Sequence, residues 1–148
     1  MISPGWMAVA WRPRPDVPSG RREVHDIATI AVTSNWPPEV YVVDDVLVEY
    51  AVLQEESVVD NLIDGIARVV DQPPLLRALE ALVAANGNRS KAALSLEIHR
   101  STLDYRLSRV EDLTGWRPTS LQGLENLAIA LTTYAVISSR ETQTPPTE

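Results

Sequence analysis

The chain has no cysteine, no phenylalanine and only two histidines, His25 and His99. The missing cysteines exclude disulfide frameworks, cysteine-ligated zinc, iron–sulfur clusters and thiol nucleophiles. Two histidines are too few for a His-rich metal site. Aromatic residues make up 5% of the 148 positions, while Ala, Leu and Val abound; that balance favours packed helices over a β-sandwich. Long apolar runs are missing too. No stretch approaches the ~20 residues that span a bilayer. The first residues, MISPGWMAVAWRPRPD, are broken by Pro4 and Pro13 and lack the charged start and long apolar centre of a secretion signal. A cytoplasmic protein with no membrane partner is the expectation.

Positive charge is scarce overall, with 13 Lys and Arg against 20 Asp and Glu, a net −7. The deficit is uneven. Residues 1–74 carry 5 basic and 12 acidic groups, and residues 75–133 carry 7 and 6. Between positions 89 and 117 stand six basic residues, Arg89, Lys91, Arg100, Arg106, Arg109 and Arg117, against four acidic ones. Exposed charges more than about 8–10 Å apart are largely screened at physiological salt, so an acidic first half leaves room for a local basic face.

Catalytic signatures are absent as well. The chain contains no GxSxG, GxGxxG, P-loop or HExxH pattern. No Ser or Cys nucleophile elbow accompanies His99, and His25 reads as a surface histidine. Asp44–Asp45 and Glu55–Glu56 have nothing else converging on them, and acids are common in first helical turns for reasons of the helix dipole. No catalytic residue, metal site or cofactor is expected, and the chain does not read as an enzyme.

Periodicity then gives the elements. Residues 6–11 read as a short strand and 13–20 as a loop, because Pro13, Pro15, Pro18 and Gly20 crowd eight positions. From Arg21 the positions Val24, Ile27, Ala28 and Ala31 follow helical spacing, up to Trp36–Pro37–Pro38. A strand is expected at 39–43, then a helix over 46–53 capped by Asp44 or Asp45. Ser57 can cap a helix of about 58–70, with Val58, Leu62, Ile66 and Val69 as its stripe and Gly65 as a weak point. Asp71–Gln72–Pro73–Pro74 reads as a linker. The tail from Glu141, ETQTPPTE, has no apolar anchor and is expected to be disordered.

The segment 75–139 carries the functional reading. A first helix runs from Leu75 to about Ala85, with Leu75, Leu79, Leu82 and Val83 on one face, and Gly87 supplies its left-handed C′ position. Asn88 is placed to cap a short helix, Arg89–Leu96, that packs through Ala92 and Ala93. A tight turn at Glu97–Ile98 leads to a third helix, about Arg100 to Leu113, ended by Gly115. Leu103, Leu107 and Val110 form its core stripe. Ser101, Thr102, Tyr105, Ser108 and Arg109 face the other way, flanked by Arg100, Asp104 and Arg106. Ser101-x-x-Asp104 also matches a capping box, which would move the helix start by two residues. A last helix, about 120–139, carries the stripe Leu121, Leu124, Leu127, Ala128, Leu131, Ala135 and Val136.

Two helices joined by so short a turn form a helix-turn-helix, whose second helix can enter a DNA major groove. Base readout needs Arg, Ser and Thr donors near the start of that helix, and phosphate anchoring needs basic side chains such as Arg89 and Lys91. The same spacing also fits a plain helical hairpin in a core.

The run GNRSKAALSLEIHRSTLDYRLSRVEDLTG resembles the C-terminal helix-turn-helix of PucR/CdaR-type bacterial transcriptional regulators, and more distantly the Fis-type helix-turn-helix. The resemblance covers about Leu75 to Leu131, and its core is gapless. It implies a mainly α-helical fold and a DNA-binding regulator, usually a homodimer, whose third helix reads double-stranded DNA. Carried over by position, Arg100, Thr102, Tyr105, Arg106 and Arg109 match the family pattern, and His99 opens the recognition helix. Three positions depart from it: Ser101 stands in place of Asn, and Asp104 and Ser108 each in place of Arg. Glu97 occupies a turn position where many helix-turn-helix proteins have Gly. Arg89, Lys91, His99, Arg100, Ser101, Thr102, Tyr105, Arg106 and Arg109 are therefore the expected DNA-binding residues.

Residues 6–50 resemble, more weakly, the last strand and helix of the GGDEF-like domain that precedes this module in the family, without a cyclase signature. The expected organisation is a GGDEF-like remnant over 1–55, a linking helix and Pro-containing linker over 56–74, the helix-turn-helix domain over 75–139, and the tail over 140–148. The whole would be a mainly α protein, a Fis-like helix-turn-helix bundle with a small α+β N-terminal portion. It would be a regulator, or its DNA-binding part, shortened naturally or cut from a longer chain. The competing reading is a helical dimerisation module that has lost DNA binding, given the net charge and Asp104.

Overall fold

In a computed structural model the described residues are 5–10, 17–34 and 36–143, with side chains described from Ser19 to Thr142 within the helices that open and close that span. They form a mainly α-helical protein with seven α-helices and one two-stranded parallel sheet. The elements run β1 (Met7–Ala8), α1 (Val17–Thr33), β2 (Val40–Tyr41), a 3₁₀ turn (Val43–Val46), α2 (Leu47–Val52), α3 (Glu56–Val70), α4 (Pro73–Ala84), α5 (Arg89–Ser95), α6 (Arg100–Thr114) and α7 (Leu121–Gln143). They divide into two compact units, residues 60–131 in one and the flanking stretches up to 59 and from 132 in the other.

In the flanking unit, β1 and β2 pair with Met7 beside Val40 and Ala8 beside Tyr41. Both strands are shorter than expected, β2 against 39–43 and β1 against 6–11, of which residue 11 lies outside the described residues. The Trp6 indole donates to the Trp36 carbonyl at 2.9 Å, and the Tyr41 hydroxyl donates to the Pro37 carbonyl at 2.6 Å. Burial raises the Tyr41 phenol above its usual range, and the carboxylates of Glu39 and Asp45 add to the effect. Ile27, Ile30, Ala31, Tyr41, Val46, Leu53 and Val136 form the core of this unit.

Helix α1 departs from the sequence pattern at its start and in its face. It begins at Val17 rather than Arg21, so the end of the expected loop is helical. Proline is tolerated in a first turn, whose N–H groups have no intrahelical acceptor, and Pro18 sits there. Its buried face holds Glu23, Asp26, Ile27, Ile30 and Ala31, whereas Val24 and Ala28 are only half-buried. The spacing remains helical, but two acids stand on the buried side. For Asp26 the reason is Arg140 on α7, whose Nε donates to Asp26 Oδ1 at 3.0 Å and whose Nη2 donates to Oδ2 at 2.5 Å. His25 is half-buried, with Nε2 3.0 Å from the Ser139 hydroxyl.

Three further starts differ from expectation. The helix expected over 46–53 is a 3₁₀ turn followed by α2, and Asp45 acts from inside that turn, accepting from the Val42 N–H at 2.9 Å. Helix α3 begins at Glu56, ahead of Ser57, whose hydroxyl donates to Glu55. Its Val59, Ile66 and Val69 are buried and Val58 is exposed. Helix α4 begins at Pro73, so the two prolines form its first turn rather than a linker.

Within residues 60–131, α4, α5 and α6 pack on one another around Ala78, Leu82, Ala85, Ala92, Ala93, Leu103 and Leu107. Gly65, far from being a weak point, receives the Trp116 indole: a Cβ there would lie 2.9 Å from the ring. On α7, Leu127 and Leu131 are buried as the stripe requires, but Leu121 is exposed. The helix continues four residues past 139, and the remainder of the expected tail lies outside the described residues. No described helix is long and apolar enough to cross a membrane.

Candidate nucleic-acid interface

Backbone geometry at two helix ends builds the site. Helix α4 closes with the Asn86 N–H donating to the Val83 carbonyl and the Gly87 N–H donating to the Leu82 carbonyl, both at 2.9 Å. This is a Schellman motif. Its left-handed C′ residue is Asn86 (φ 49°), one position before Gly87, which is also left-handed at φ 79°. Asn88 then caps α5 as expected, its Oδ1 accepting from the Lys91 N–H at 3.0 Å.

The turn between α5 and α6 repeats the motif. The Glu97 N–H donates to Leu94 and the Ile98 N–H to Ala93, each at 3.1 Å, and Glu97 takes the left-handed conformation at φ 54°. Leu96 and Ile98 pack against the core from either side of it. Thus Glu97 adopts the backbone shape for which glycine is the common choice. A left-handed L-residue costs roughly 1–2 kcal/mol, offset by about 0.5–1 kcal/mol of extra chain entropy lost by Gly. Glu97→Gly should therefore raise stability by about 0.5–1 kcal/mol, seen as a higher thermal midpoint. A lower midpoint would show that the Glu97 side chain itself holds the turn.

Helix α6 starts at Arg100 with His99 as its cap. The ring Nδ1 of His99 accepts from the Ser101 N–H at 3.2 Å and lies 2.7 Å from the Ser101 hydroxyl. The capping box over Ser101 and Asp104 is therefore not formed. Asp104 turns instead to two arginines. Arg89 Nη1 on α5 donates to Asp104 Oδ1 at 3.2 Å, and Arg100 Nε stands 4.0 Å from Oδ2. Arg100 Nη1 also donates to the Ser90 hydroxyl at 3.2 Å. Gly115, left-handed at φ 74°, ends α6 and its N–H donates to the Glu111 carbonyl at 2.8 Å.

Leu103, Leu107 and Val110 are buried, which leaves Ser101, Thr102, Tyr105, Ser108 and Arg109 on the opposite, exposed face; Tyr105 is 67% exposed. Arg100, His99 and Lys91 are exposed too, and Arg89 and Arg106 are half-buried. Arg109 pairs with Asp112 at 3.1 Å, one turn along the same helix. Arg89 and Arg100 come together around Asp104, while Lys91, Tyr105, Arg106 and Arg109 join no such cluster. Two supports, Ser90 and the Asp104 clamp, escaped the sequence reading. The i,i+4 spacing of Arg100 and Asp104 was the one signal available for the clamp; Arg89 and Ser90 lie on another helix. Among the described residues, no group of three His, Cys, Asp or Glu side chains is arranged to hold a metal ion.

Residues 75–133, less than half of the chain, match the family described as the PucR C-terminal helix-turn-helix domain. No curated protein and no solved structure matches the chain at a significant level.

Proposed function

We propose that the chain is a sequence-specific DNA-binding transcriptional regulator, or the DNA-binding portion of one, of PucR/CdaR type. The observation that carries this reading is the exposed face of α6, which presents Arg100, Ser101, Thr102, Tyr105 and Arg109 within a segment matching the helix-turn-helix family. In this reading α6 lies in the major groove. Arg100, at the helix start, aims its guanidinium at a base edge, where a bidentate contact to guanine is the commonest specific pairing. Lys91, His99 and Arg106 flank that face as phosphate contacts, which set position rather than sequence, and Arg89 joins them only by leaving its pair with Asp104. The regulator acts in the cytoplasm as a homodimer, with two α6 helices in successive half-sites. Residues 1–55 are the closing part of a GGDEF-like domain, a reading supported by the parallel β1–β2 pair packed on α1. The work proposed is binding, with no catalytic step and no cofactor.

Selection of binding sites from a random duplex library, followed by titration at fixed salt, tests the proposal. Arg100→Ala should cost about 1–3 kcal/mol on the selected site and relax the preference at one base pair. An unchanged affinity and an unchanged preference would remove Arg100 from the interface. Failure to select any site would remove the function.

A further inference from the structure

Resting on that DNA-binding reading, we infer that Asp104 is the specificity-setting residue of the interface, a built-in competitor that withholds Arg89 and Arg100 from DNA phosphates. One carboxylate serves two helices, with Oδ1 3.2 Å from Arg89 Nη1 on α5 and Oδ2 4.0 Å from Arg100 Nε on α6. All three side chains are between a third and just over half exposed, so the cluster is open to a partner beside the α6 face proposed to meet the duplex. Exposed pairs of this kind are weak, and a phosphate can displace the carboxylate. Displacement has a consequence: each phosphate contact made by Arg89 or Arg100 replaces an existing ion pair, and Asp104 is left facing the polyanion.

Base readout escapes that penalty. Asp104 lies on the Nε side of Arg100, and a bidentate contact made through the two terminal nitrogens leaves Nε where it is. The Ser90 hydroxyl, 3.2 Å from Nη1, holds the same guanidinium from α5. A ligand that engages Arg100 end-on therefore gains a pre-positioned fork, whereas one that engages it only as a cation must first break the clamp. Asp104 thus lowers affinity for arbitrary DNA more than for the cognate site.

The test compares the intact chain with its Asp104→Asn and Asp104→Glu variants on two probes, the duplex selected for the wild type and a scrambled duplex of equal length, across a salt series. Asp104→Asn should bind the scrambled duplex about five- to tenfold more tightly at physiological salt, and the ratio of selected to scrambled affinity should fall. Its log–log salt slope on the scrambled duplex should steepen by about 0.9 for each arginine released. Asp104→Glu, which keeps the charge, should retain the wild-type ratio and slope. An Asp104→Asn protein with wild-type slope and ratio overturns the inference, as does one weakened equally on both probes with the slope unchanged, the mark of a purely structural role. If neither wild type nor variant binds either duplex at low salt, the DNA-binding reading falls as well. Those outcomes separate the two failures.

Discussion

Arg140→Ala should destabilise the unit built on α1 by about 3–5 kcal/mol, the typical loss when one partner of a buried ion pair is removed. Asp26 is 1% exposed and receives two parallel hydrogen bonds from the Arg140 guanidinium. Such a fork satisfies both carboxylate oxygens at once. Alanine would leave that carboxylate buried without its counter-charge, so the loss exceeds what the pair itself contributes. The double variant Asp26→Asn/Arg140→Ala should recover much of the loss, because position 26 then carries no buried charge that needs a partner. Urea titration, with hydrogen exchange followed on residues 17–33, measures both effects. A single variant within 1 kcal/mol of the wild type would show that water reaches Asp26 and that the site behaves as an exposed pair.

Leu103→Ala should cost residues 60–131 about 2–5 kcal/mol and with it any DNA binding. Leu103 is fully buried among Ala78, Leu82, Ala92, Ala93 and Leu107, where α4, α5 and α6 meet. The alanines around it let the helices approach closely, but they cannot reach into a vacated leucine site, so the cavity remains largely open. Leu94, on α5, is the internal control. It is 78% exposed, and Leu94→Ala should stay within about 0.5 kcal/mol. Thermal or denaturant midpoints of the two variants settle the comparison. Equal effects would mean that the core of the helix-turn-helix is not centred on Leu103.

What was legible in the chain followed from interactions that close within a turn or two. The α4–α5–turn–α6 succession, the Leu103, Leu107 and Val110 stripe, the Asn88 cap and the Gly115 stop all depend on neighbours three or four residues away. Errors arose even at this range where two local devices competed. Glu56 opened α3 ahead of Ser57, whereas α6 starts at Arg100 as expected, with His99 rather than Ser101 as its cap. Pro18 and Pro73 read as breakers, yet both sit in first turns, where a missing N–H costs nothing. At the candidate site, the exposed face of α6 was readable because its opposite face is apolar; the partners of its arginines were not.

By itself, then, the sequence determined the helical class, the register of the helix-turn-helix and which side of α6 is apolar, since periodicity and capping act locally. It also flagged Glu97 as a residue in a glycine position, which the φ of 54° explains. Only the tertiary structure decided where charge goes. Asp26 and Arg140 are 114 residues apart in sequence, and nothing near Asp26 announces that an acid can occupy the buried face of α1. The clamp on Arg89 and Arg100 likewise needs α5 and α6 folded across Glu97 before one carboxylate can reach both. The glycines follow the same logic: Gly65 lies under the Trp116 indole, and at Gly123 any Cβ would collide with the Arg117 carbonyl. Burying a charge, pairing a surface arginine or passing a backbone close to another group depends on what lies across space. A linear pattern of apolar and polar residues carries no record of that.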